Sequence, residues 1–356
     1  MKFSTHTTII YQVLLFLTLP VLLMAQSLPV VPQINHPIAI AVHGGAGSLK
    51  KLNLSAEKQK AYADTLELAL KAGYHVLESG GSSTDAVVAA IMVMENSVLF
   101  NAGKGSVLTH EGTIEMDAAI MNGKTLKAGA LTGVKTIKNP ISAAHKIMDS
   151  SRFVFLSGKG AENFAKEQGI EIVDTSYFFT QYRIDQLQNA LKTDSATLDH
   201  SDTTGMIETN DRNGNAEEKF GTVGCVAIDR MGNLAAGTST GGIVNKQYNR
   251  IGDSPLIGSG TYANNKTCAV SCTGRGEDFI RQVVAYDISA LMQYRIINLH
   301  DAAQYVIKDK LVKAKGRGGC IAMDKNGHIE MPFNTEGMFR GYINTKGQLK
   351  VMIYED

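Results

Sequence analysis

The sequence contains no tryptophan and is poor in proline, cysteine and net charge. Among 356 residues there are 7 prolines and 4 cysteines, and 35 basic side chains balance 34 acidic ones. This balance gives no electrostatic reason to expect nucleic acid or an anionic membrane as a partner. So few cysteines exclude a disulfide-built scaffold, and so few prolines exclude a collagen-like chain. The length and the 44% hydrophobic fraction indicate a globular fold with a substantial core, as two domains or one large layered domain.

Only one long apolar run is present, and it lies near the N-terminus. It spans residues 9–24, follows a single charge at Lys2 and ends beside Ala25. A basic start, a short apolar stretch and a small residue are typical of a secretory signal, whereas Pro20 argues against a stable membrane-spanning helix. We therefore expect residues 1–25 to be a signal peptide and the protein to be exported, periplasmic or secreted. An uncleaved anchor is the alternative.

The cysteines show no metal-site pattern. Cys225, Cys268, Cys272 and Cys320 all lie in the second half of the chain, without a CxxC pair or histidines at zinc-finger spacing. Buried free thiols and, after export, a disulfide both stay open.

Hydrophobic patterning predicts helices and strands along most of the chain. Residues 38–43 predict a buried strand leading into the glycine run 44–47, which no Walker lysine follows. Ser55 is placed to cap a helix of about 24 residues that Gly80 stops. Further helices are expected at 86–94, 140–150, 160–167 and 277–294, and strands at 113–120, 128–137, 153–156, 222–229, 234–239, 319–324 and 328–333. Residues 192–220 carry almost no large apolar side chains, which is typical of a flexible surface segment.

The junction between that polar segment and the next strand, Gly221-Thr222, is the candidate reactive site. A threonine hydroxyl is a weak nucleophile and needs a base within reach. Cleavage before Thr222 would create an α-amine with a reference pKa of about 7.7–8.0, which suits a general base near neutral pH. Glycine at position 221 tolerates the strained backbone that attack on its own carbonyl requires. Taken alone, a Gly-Thr dipeptide indicates only a strand after a loop.

Longer motifs around this junction resemble the plant-type asparaginase and isoaspartyl peptidase family of N-terminal-nucleophile (Ntn) hydrolases. They are GTVGCVAIDRMGNLAAGTSTGG, RIGDSPLIGSGTYAN and CAVSCTGRGEDFIR, preceded by IAIAVHGGAG, LFNAGKGSVLT, EMDAAIMNG and GVKTIKNPISAA. The resemblance covers residues 38–354. It implies an α+β fold, a four-layer αββα Ntn sandwich made as one catalytic domain from two autoproteolytic fragments. These are an α-chain of residues 26–221, with a flexible tail of about 192–221, and a β-chain of residues 222–356.

The resemblance also implies the activity. The enzyme would remove β-aspartyl residues from isoaspartyl dipeptides and deamidate L-asparagine to L-aspartate and ammonia. Thr222 would attack, its own amine would relay the proton, and water would release aspartate from an aspartyl ester. No catalytic cofactor is expected, and the partners would be a small-molecule or dipeptide substrate, the cleaved fragment itself and, by family precedent, a second copy in an (αβ)₂ dimer.

The implied catalytic residues form one set. Thr222 matches the nucleophile and Thr240 the threonine that orients it, while Thr273 and Gly274 match the donors of an oxyanion hole. A preorganised donor of this kind is worth about 100- to 1000-fold in rate.

The implied substrate-binding residues form another. Arg250 matches the arginine that holds the substrate's α-carboxylate and Asp253 the acid that receives its α-ammonium, which are complementary charges. Asn101, Arg275 and Gly276 match neighbours of the pocket. An arginine at 275, where relatives often have histidine or threonine, could favour β-aspartyl peptides with a further carboxylate.

The resemblance further implies a structural sodium ion, held by backbone carbonyls around Glu95, Phe100 and Ala102. Ser97-Val98 replaces a proline that is usual before this loop.

Two alternative functions stay open. The first is a glycosylasparaginase, which performs the same chemistry on a glycan-linked asparagine; the motifs GTVG and TSTGG favour the asparaginase branch. The second is an exported binding protein that keeps the fold without the activity.

Overall fold

The computed structural model of the protein describes residues 36–47, 54–193 and 221–354. The predicted signal peptide at 1–25, and the part of the predicted flexible tail between 194 and 220, lie outside the described residues. Within the described ranges, helices and strands alternate and then give way to hairpins, so the α+β prediction is confirmed. No helix in these ranges combines the length and the apolar character that crossing a membrane would require.

The strands and helices are numbered in chain order. The strands are β1 (Ala39–Gly47), β2 (Met116–Asn122), β3 (Ala128–Val134), β4 (Phe155–Ser157), β5 (Val223–Ile228), β6 (Leu234–Thr240), β7 (Thr261–Ala263), β8 (Cys268–Gly274), β9 (Gly318–Asp324), β10 (Ile329–Glu330), β11 (Gly337–Ile343) and β12 (Leu349–Tyr354). The helices are α1 (Ala56–Glu78), α2 (Ser83–Glu95), α3 (Pro140–Ser150), α4 (Gly158–Glu167), α5 (Gln181–Thr193), α6 (Gly276–Gln282), α7 (Val284–Tyr294), α8 (Leu299–Gln304) and α9 (Leu311–Lys313). A π-helical turn, Tyr305–Lys310, joins α8 to α9, and 3-10 turns occupy Gly103–Gly105 and Thr175–Phe178.

Two sheets form the centre of the fold. The larger has the order β12-β11-β1-β5-β6-β2-β3-β4 and the smaller the order β10-β9-β8-β7. Neighbouring strands pair antiparallel except β3 and β4. Side chains such as Val226 and Ala236 of the larger sheet share one apolar cluster with Ala269 and Ile321 of the smaller, so the two sheets pack face to face.

Helices cover the outer faces of both sheets. Leu66 and Leu70 of α1 pack with Ile40 of β1, while Phe279 of α6 packs with Cys272 of β8. The order of layers is therefore helix, sheet, sheet, helix. Each Å² of apolar surface removed from water contributes about 25 cal/mol. The three interfaces between these four layers therefore supply the main driving force for folding.

Local signals located the first helices well. Ser55 caps α1, and its Oγ accepts a hydrogen bond from the backbone N–H of Lys58 at 3.2 Å. The helix ends at Glu78, just before Gly80, as predicted. The second helix begins at Ser83, earlier than predicted, because Ser82 supplies the capping oxygen to Asp85 N.

The predicted long helix at 277–294 is broken. Val283 adopts a left-handed conformation (φ 49°) and separates α6 from α7. Two N–H groups in the first turn of α7 form hydrogen bonds outside the helix. Ala285 N donates to the carbonyl of Ser259, and Tyr286 N donates to the carbonyl of Gly258. These long-range hydrogen bonds offset the free-energy cost of the left-handed backbone at Val283. No glycine or proline in the local sequence indicates a break there.

The glycine run after His43 is part of a strand rather than a turn. β1 continues through Gly47, and its register against β11 shifts between His43 and Gly45. All four cysteines are buried and free, although Cys272 and Cys320 lie directly opposite each other on β8 and β9. Burial raises the pKa of the Cys272 thiol well above its ordinary value.

Candidate active site

Thr222, the candidate nucleophile, immediately precedes β5, a central strand of the larger sheet. Its Oγ1 donates to Thr240 Oγ1 at 3.1 Å. Antiparallel pairing of Val223 with Ser239 brings the start of β5 beside the end of β6, where Thr240 is the last residue. Backbone register therefore sets the distance between the two hydroxyls.

The turn after Thr240 is held by backbone hydrogen bonds. Gly242 N donates to Thr240 Oγ1 at 3.0 Å. Asn101 binds the same turn: its Nδ2 donates to Gly242 O at 2.7 Å, and its carbonyl accepts from Gly241 N at 3.1 Å. Asn101 Oδ1 accepts from Val107 N, so both polar atoms of this buried amide make a hydrogen bond. Asn101 therefore stabilises the turn that follows Thr240.

Arg250 and Asp253 lie close together, and Gly276 lies against both. A Cβ on Gly276 would stand 2.8 Å from Arg250 Nη2 and 2.9 Å from Asp253 N, so only glycine fits there. Asp253 is 4% exposed, and its Oδ2 has no hydrogen-bond partner among the described residues. Burial raises the pKa of Asp253 to about 7, which the positive charge of Arg250 opposes.

Glu277 pairs with Arg250 and was not predicted from the sequence. It accepts from Arg250 Nε at 2.9 Å and from Nη2 at 3.0 Å, a bidentate pair that fixes the plane of the guanidinium. Partial burial acts to raise the pKa of Glu277, but the hydrogen bond and charge of Arg250 outweigh it and the pKa is lowered. A carboxylate 27 residues from its partner leaves no local pattern.

The remaining predicted residues lie on the smaller sheet and the helix after it. Thr273 is buried near the end of β8, and Gly274 closes that strand. β8 packs against β5. The predicted oxyanion-hole residues and the predicted nucleophile therefore both lie where the two sheets are in contact. Arg275 is exposed at the N-cap position of α6, beside Glu277.

A chain of buried hydrogen bonds crosses from sheet to sheet behind Thr222. His43 Nε2 lies 3.0 Å from Ser271 Oγ, which in turn lies 2.7 Å from Thr238 Oγ1, and Thr261 Oγ1 donates to Thr238 Oγ1 at 2.6 Å. Burial lowers the pKa of His43 to about 3, against an opposing effect of the Thr222 backbone, so the ring is neutral near pH 7. No sequence pattern predicted these hydrogen bonds, because the residues that form them come from four different strands.

Carbonyl groups crowd around the 3-10 turn Gly103–Gly105. A Cβ on Gly103 would stand 2.3 Å from Glu95 O, and one on Gly105 would stand 2.1 Å from Phe100 O and 2.9 Å from Val98 O. Glycine at both positions allows the turn to approach these carbonyl oxygens closely. Backbone carbonyl oxygens are the kind of ligand that a hard cation prefers. Ala102 O, also predicted as a ligand, accepts from Gly105 N at 3.2 Å.

Three further charged residues lie buried beside Thr240. Asp117 pairs with Thr240 in the β2–β6 register, and Glu115 directly precedes β2. Lys246 Nζ donates to Glu115 O at 2.9 Å and lies 3.9 Å from Glu115 Oε2. Nothing in the local sequence predicted this cluster.

Paired hydroxyls between packed sheets, next to an arginine-aspartate pocket, form a site suited to nucleophilic attack on an amide. The chain belongs to the asparaginase family, whose model matches residues 36–353. It is 46% identical over 303 residues to the isoaspartyl peptidase of Escherichia coli, covering 85% of this chain and 92% of that one. It is 47% identical to the isoaspartyl peptidase of Salmonella typhimurium, covering 85% and 94%, and 39% identical to the mouse isoaspartyl peptidase/L-asparaginase, covering 84% and 86%.

The prediction of an exported protein was wrong. The similar enzymes of E. coli and S. typhimurium are of the cytosolic type. The prediction rested on hydropathy in residues 9–24 and on Lys2. Hydropathy measures only the tendency of a segment to leave water, whereas targeting depends on recognition of the segment by a receptor.

Proposed function

We propose that this protein is a self-cleaving hydrolase that removes β-aspartyl residues from isoaspartyl dipeptides and deamidates L-asparagine to L-aspartate and ammonia. The observation that carries the proposal is the hydrogen bond between Thr222 and Thr240, at a strand start that directly follows a glycine. The names of the relatives support the substrate class, and the charges of the pocket agree with it.

Self-cleavage begins with the Thr222 hydroxyl. It attacks the Gly221 carbonyl, and its proton passes to the peptide nitrogen, which leaves as the amine of Thr222. Water then hydrolyses the resulting ester. The products are an α-chain ending at residue 221 and a β-chain of residues 222–356. The new α-amine then lies on the same residue as the hydroxyl and serves as its base. Thr240 Oγ1, which accepts from both Thr222 and Gly242, holds the hydroxyl in place during attack.

Substrate binding uses the two charges of the pocket. Glu277 occupies Nε and one hydrogen of Nη2 of Arg250, so the substrate's α-carboxylate binds the remaining Nη1 side of the guanidinium. The unpartnered Oδ2 of Asp253 accepts from the α-ammonium. Both contacts fix an α-amino acid end, which leaves its side-chain carbonyl for Thr222.

The chemical step creates and collapses a tetrahedral oxyanion. Thr222 Oγ1 adds to the side-chain carbonyl while its amine takes the hydroxyl proton. Thr273 Oγ1 and Gly274 N stabilise the developing negative charge by donating hydrogen bonds. The amine passes its proton to the leaving nitrogen, an aspartyl ester remains on Thr222, and water releases aspartate.

Three finer features complete the proposal. The carbonyls around Gly103 and Gly105 would hold a sodium ion that stiffens the loop bearing Asn101. Two processed copies would associate as an (αβ)₂ dimer. Arg275, exposed beside Glu277, would favour β-aspartyl peptides that carry a further carboxylate; an unchanged peptide preference in Arg275→Ala would remove that role.

The test is a denaturing gel of the purified protein, with N-terminal sequencing of the smaller band. We expect that band to begin at Thr222. Thr222→Ala should remain a single chain and lose at least about 1000-fold in activity, whereas Thr222→Ser keeps a hydroxyl and should still be cut. Active enzyme with an intact 221–222 bond would contradict the mechanism.

Substrate comparison tests the specificity. Cleaved enzyme should turn over β-aspartyl-leucine and asparagine faster than N-acetylglucosaminyl-asparagine. The reverse order would make the protein a glycosylasparaginase, and no turnover of any of the three by cleaved enzyme would favour a binding function.

A further inference from the structure

Lys246 is a buried lysine that the proposed mechanism does not use. The residue is 2% exposed. Lysine is almost never this buried without charged partners, because removing an ammonium from water is costly. Its Nζ donates to Glu115 O at 2.9 Å, and the carboxylate of Glu115 lies 3.9 Å away. Burial lowers the pKa of Lys246, while the charges of Asp117 and Glu115 oppose that shift.

The side chain of Lys246 also supports the turn that follows Thr240. Gly242 has a left-handed backbone (φ 84°), and a Cβ there would stand 3.1 Å from Lys246 Nζ and 3.2 Å from its Cδ. The lysine thus packs on the open face of the residue whose N–H donates to Thr240 Oγ1 at 3.0 Å. Any shift of this turn moves the oxygen that holds the Thr222 hydroxyl.

The register of three adjacent strands fixes how far Asp117 lies from the nucleophile. β5, β6 and β2 are neighbours, and Asp117 pairs directly with Thr240. With strands about 4.8 Å apart, Asp117 lies on the order of 10 Å from Thr222. At that distance a unit charge inside a protein changes a neighbour's pKa by on the order of one unit.

We propose that Lys246 is a positioning residue, which neutralises the buried carboxylates of Glu115 and Asp117 and so keeps the amine of processed Thr222 unprotonated near neutral pH. This inference rests on the proposed function. Without the buried charge of Lys246, the net negative charge of Glu115 and Asp117 would favour the ammonium form of the amine, which cannot act as a base.

Other charged groups around Lys246 have smaller effects. Lys135 lies 3.3 Å from Glu115 Oε1, but its side chain is 43% exposed and therefore screened by solvent. Arg250 also faces Lys246 but is already paired with Glu277. His110 lies on the segment bonded to the Lys246 carbonyl, and its ring hydrogen bonds to Asn245 at 2.8 Å.

The experiment measures kcat against pH at saturating β-aspartyl-leucine in cleaved enzyme, since kcat reports the groups of the bound complex. We expect Lys246→Met to move the acidic limb of the profile upward by on the order of one pH unit. Glu115→Gln should move it downward, because it removes a negative charge. Lys246→Arg, the matched control, should stay close to the wild type, and Lys135→Met should shift by only a few tenths of a unit.

Opposite shifts distinguish an electrostatic role from simple damage to the fold, which would lower kcat at every pH. An unshifted limb in both Lys246→Met and Glu115→Gln, or shifts in the same direction, would overturn the inference. If Lys246→Met does not fold, the direction of the Glu115→Gln shift decides. If the wild-type enzyme is cleaved and active but the acidic limb does not shift in the variants, only this inference is rejected. If the wild-type enzyme is neither cleaved nor active, the proposed function and this inference are rejected together.

Discussion

The hydroxyl pair and the charged pocket are held in place by different interactions. Thr222 and Thr240 lie where adjacent strands begin and end, and backbone hydrogen bonds of the sheet set their distance. Arg250 and Asp253 lie between β6 and β7, and the guanidinium takes its orientation from Glu277. A backbone ladder survives most side-chain changes, whereas a charged pocket depends on each partner. We therefore expect substitutions in the first region to affect kcat and those in the second to affect KM.

Apart from the nucleophile itself, the largest effect is expected at Thr240. Thr240→Val removes the hydroxyl at nearly constant volume and leaves Gly242 N and Thr222 without their acceptor. We expect kcat per cleaved chain to fall about 100-fold with little change in KM. Steady-state kinetics on the cleaved fraction checks this, and Thr240→Ser is the control that keeps the oxygen. A change in KM without a change in kcat would contradict the expectation that the hydroxyl pair acts on kcat and the charged pocket on KM.

Asp253→Asn should have the next largest effect. The change keeps the shape but removes the charge that receives the substrate's ammonium. A hydrogen bond to a charged group is worth about 1.5–3 kcal/mol, so KM should rise about 10- to 100-fold. Cleavage at 221–222 does not involve this ammonium and should proceed normally. Defective cleavage in Asp253→Asn would mean that the pocket also supports self-processing.

The pH dependence of KM follows from the same carboxyl group. Asp253 receives the ammonium only when ionised, and its pKa of about 7 leaves it mostly neutral in more acidic solution. KM should therefore be high at pH 6 and fall as the pH rises through about 7. Asp253→Asn should give a flat profile over this range. An equal slope in that variant would assign the titration to another group.

Glu277→Gln should have the smallest effect. The glutamine keeps one acceptor for Arg250 but loses the bidentate charged pair, so the guanidinium rotates more freely. We expect KM to rise about 5- to 10-fold at unchanged kcat. Glu277→Asp keeps the charge but shortens the reach, and it should also raise KM. A lower KM in Glu277→Gln would show instead that Glu277 competes with the substrate's carboxylate.

Short-range signals in the sequence predicted much of the fold. The capping serine before α1, the proline at the start of α3 and the hairpin around residues 231–233 all act over a few residues. The break at Val283 escaped prediction, because the hydrogen bonds that stabilise it come from residues 258 and 259. The continuation of β1 through its glycines likewise depends on pairing with β11.

The site shows the same division. Thr222, Thr240, Arg250 and Asp253 were predicted from motifs that lie close together in the sequence. Glu277, Lys246 with Glu115 and Asp117, and the chain from His43 to Thr261 were not, because each joins residues far apart in sequence. Such contacts leave no periodicity or spacing that a single sequence reveals.

The order of amino acids alone determined the family motifs, the elements with local start and stop signals, and the glycine–threonine junction, since each depends on neighbouring residues. Only the tertiary structure decided which buried charges meet behind Thr240 and which carboxylate holds Arg250. The reason is physical: burial removes water from around a charge, and the free energy of that charge then depends on whichever distant segment folds against it.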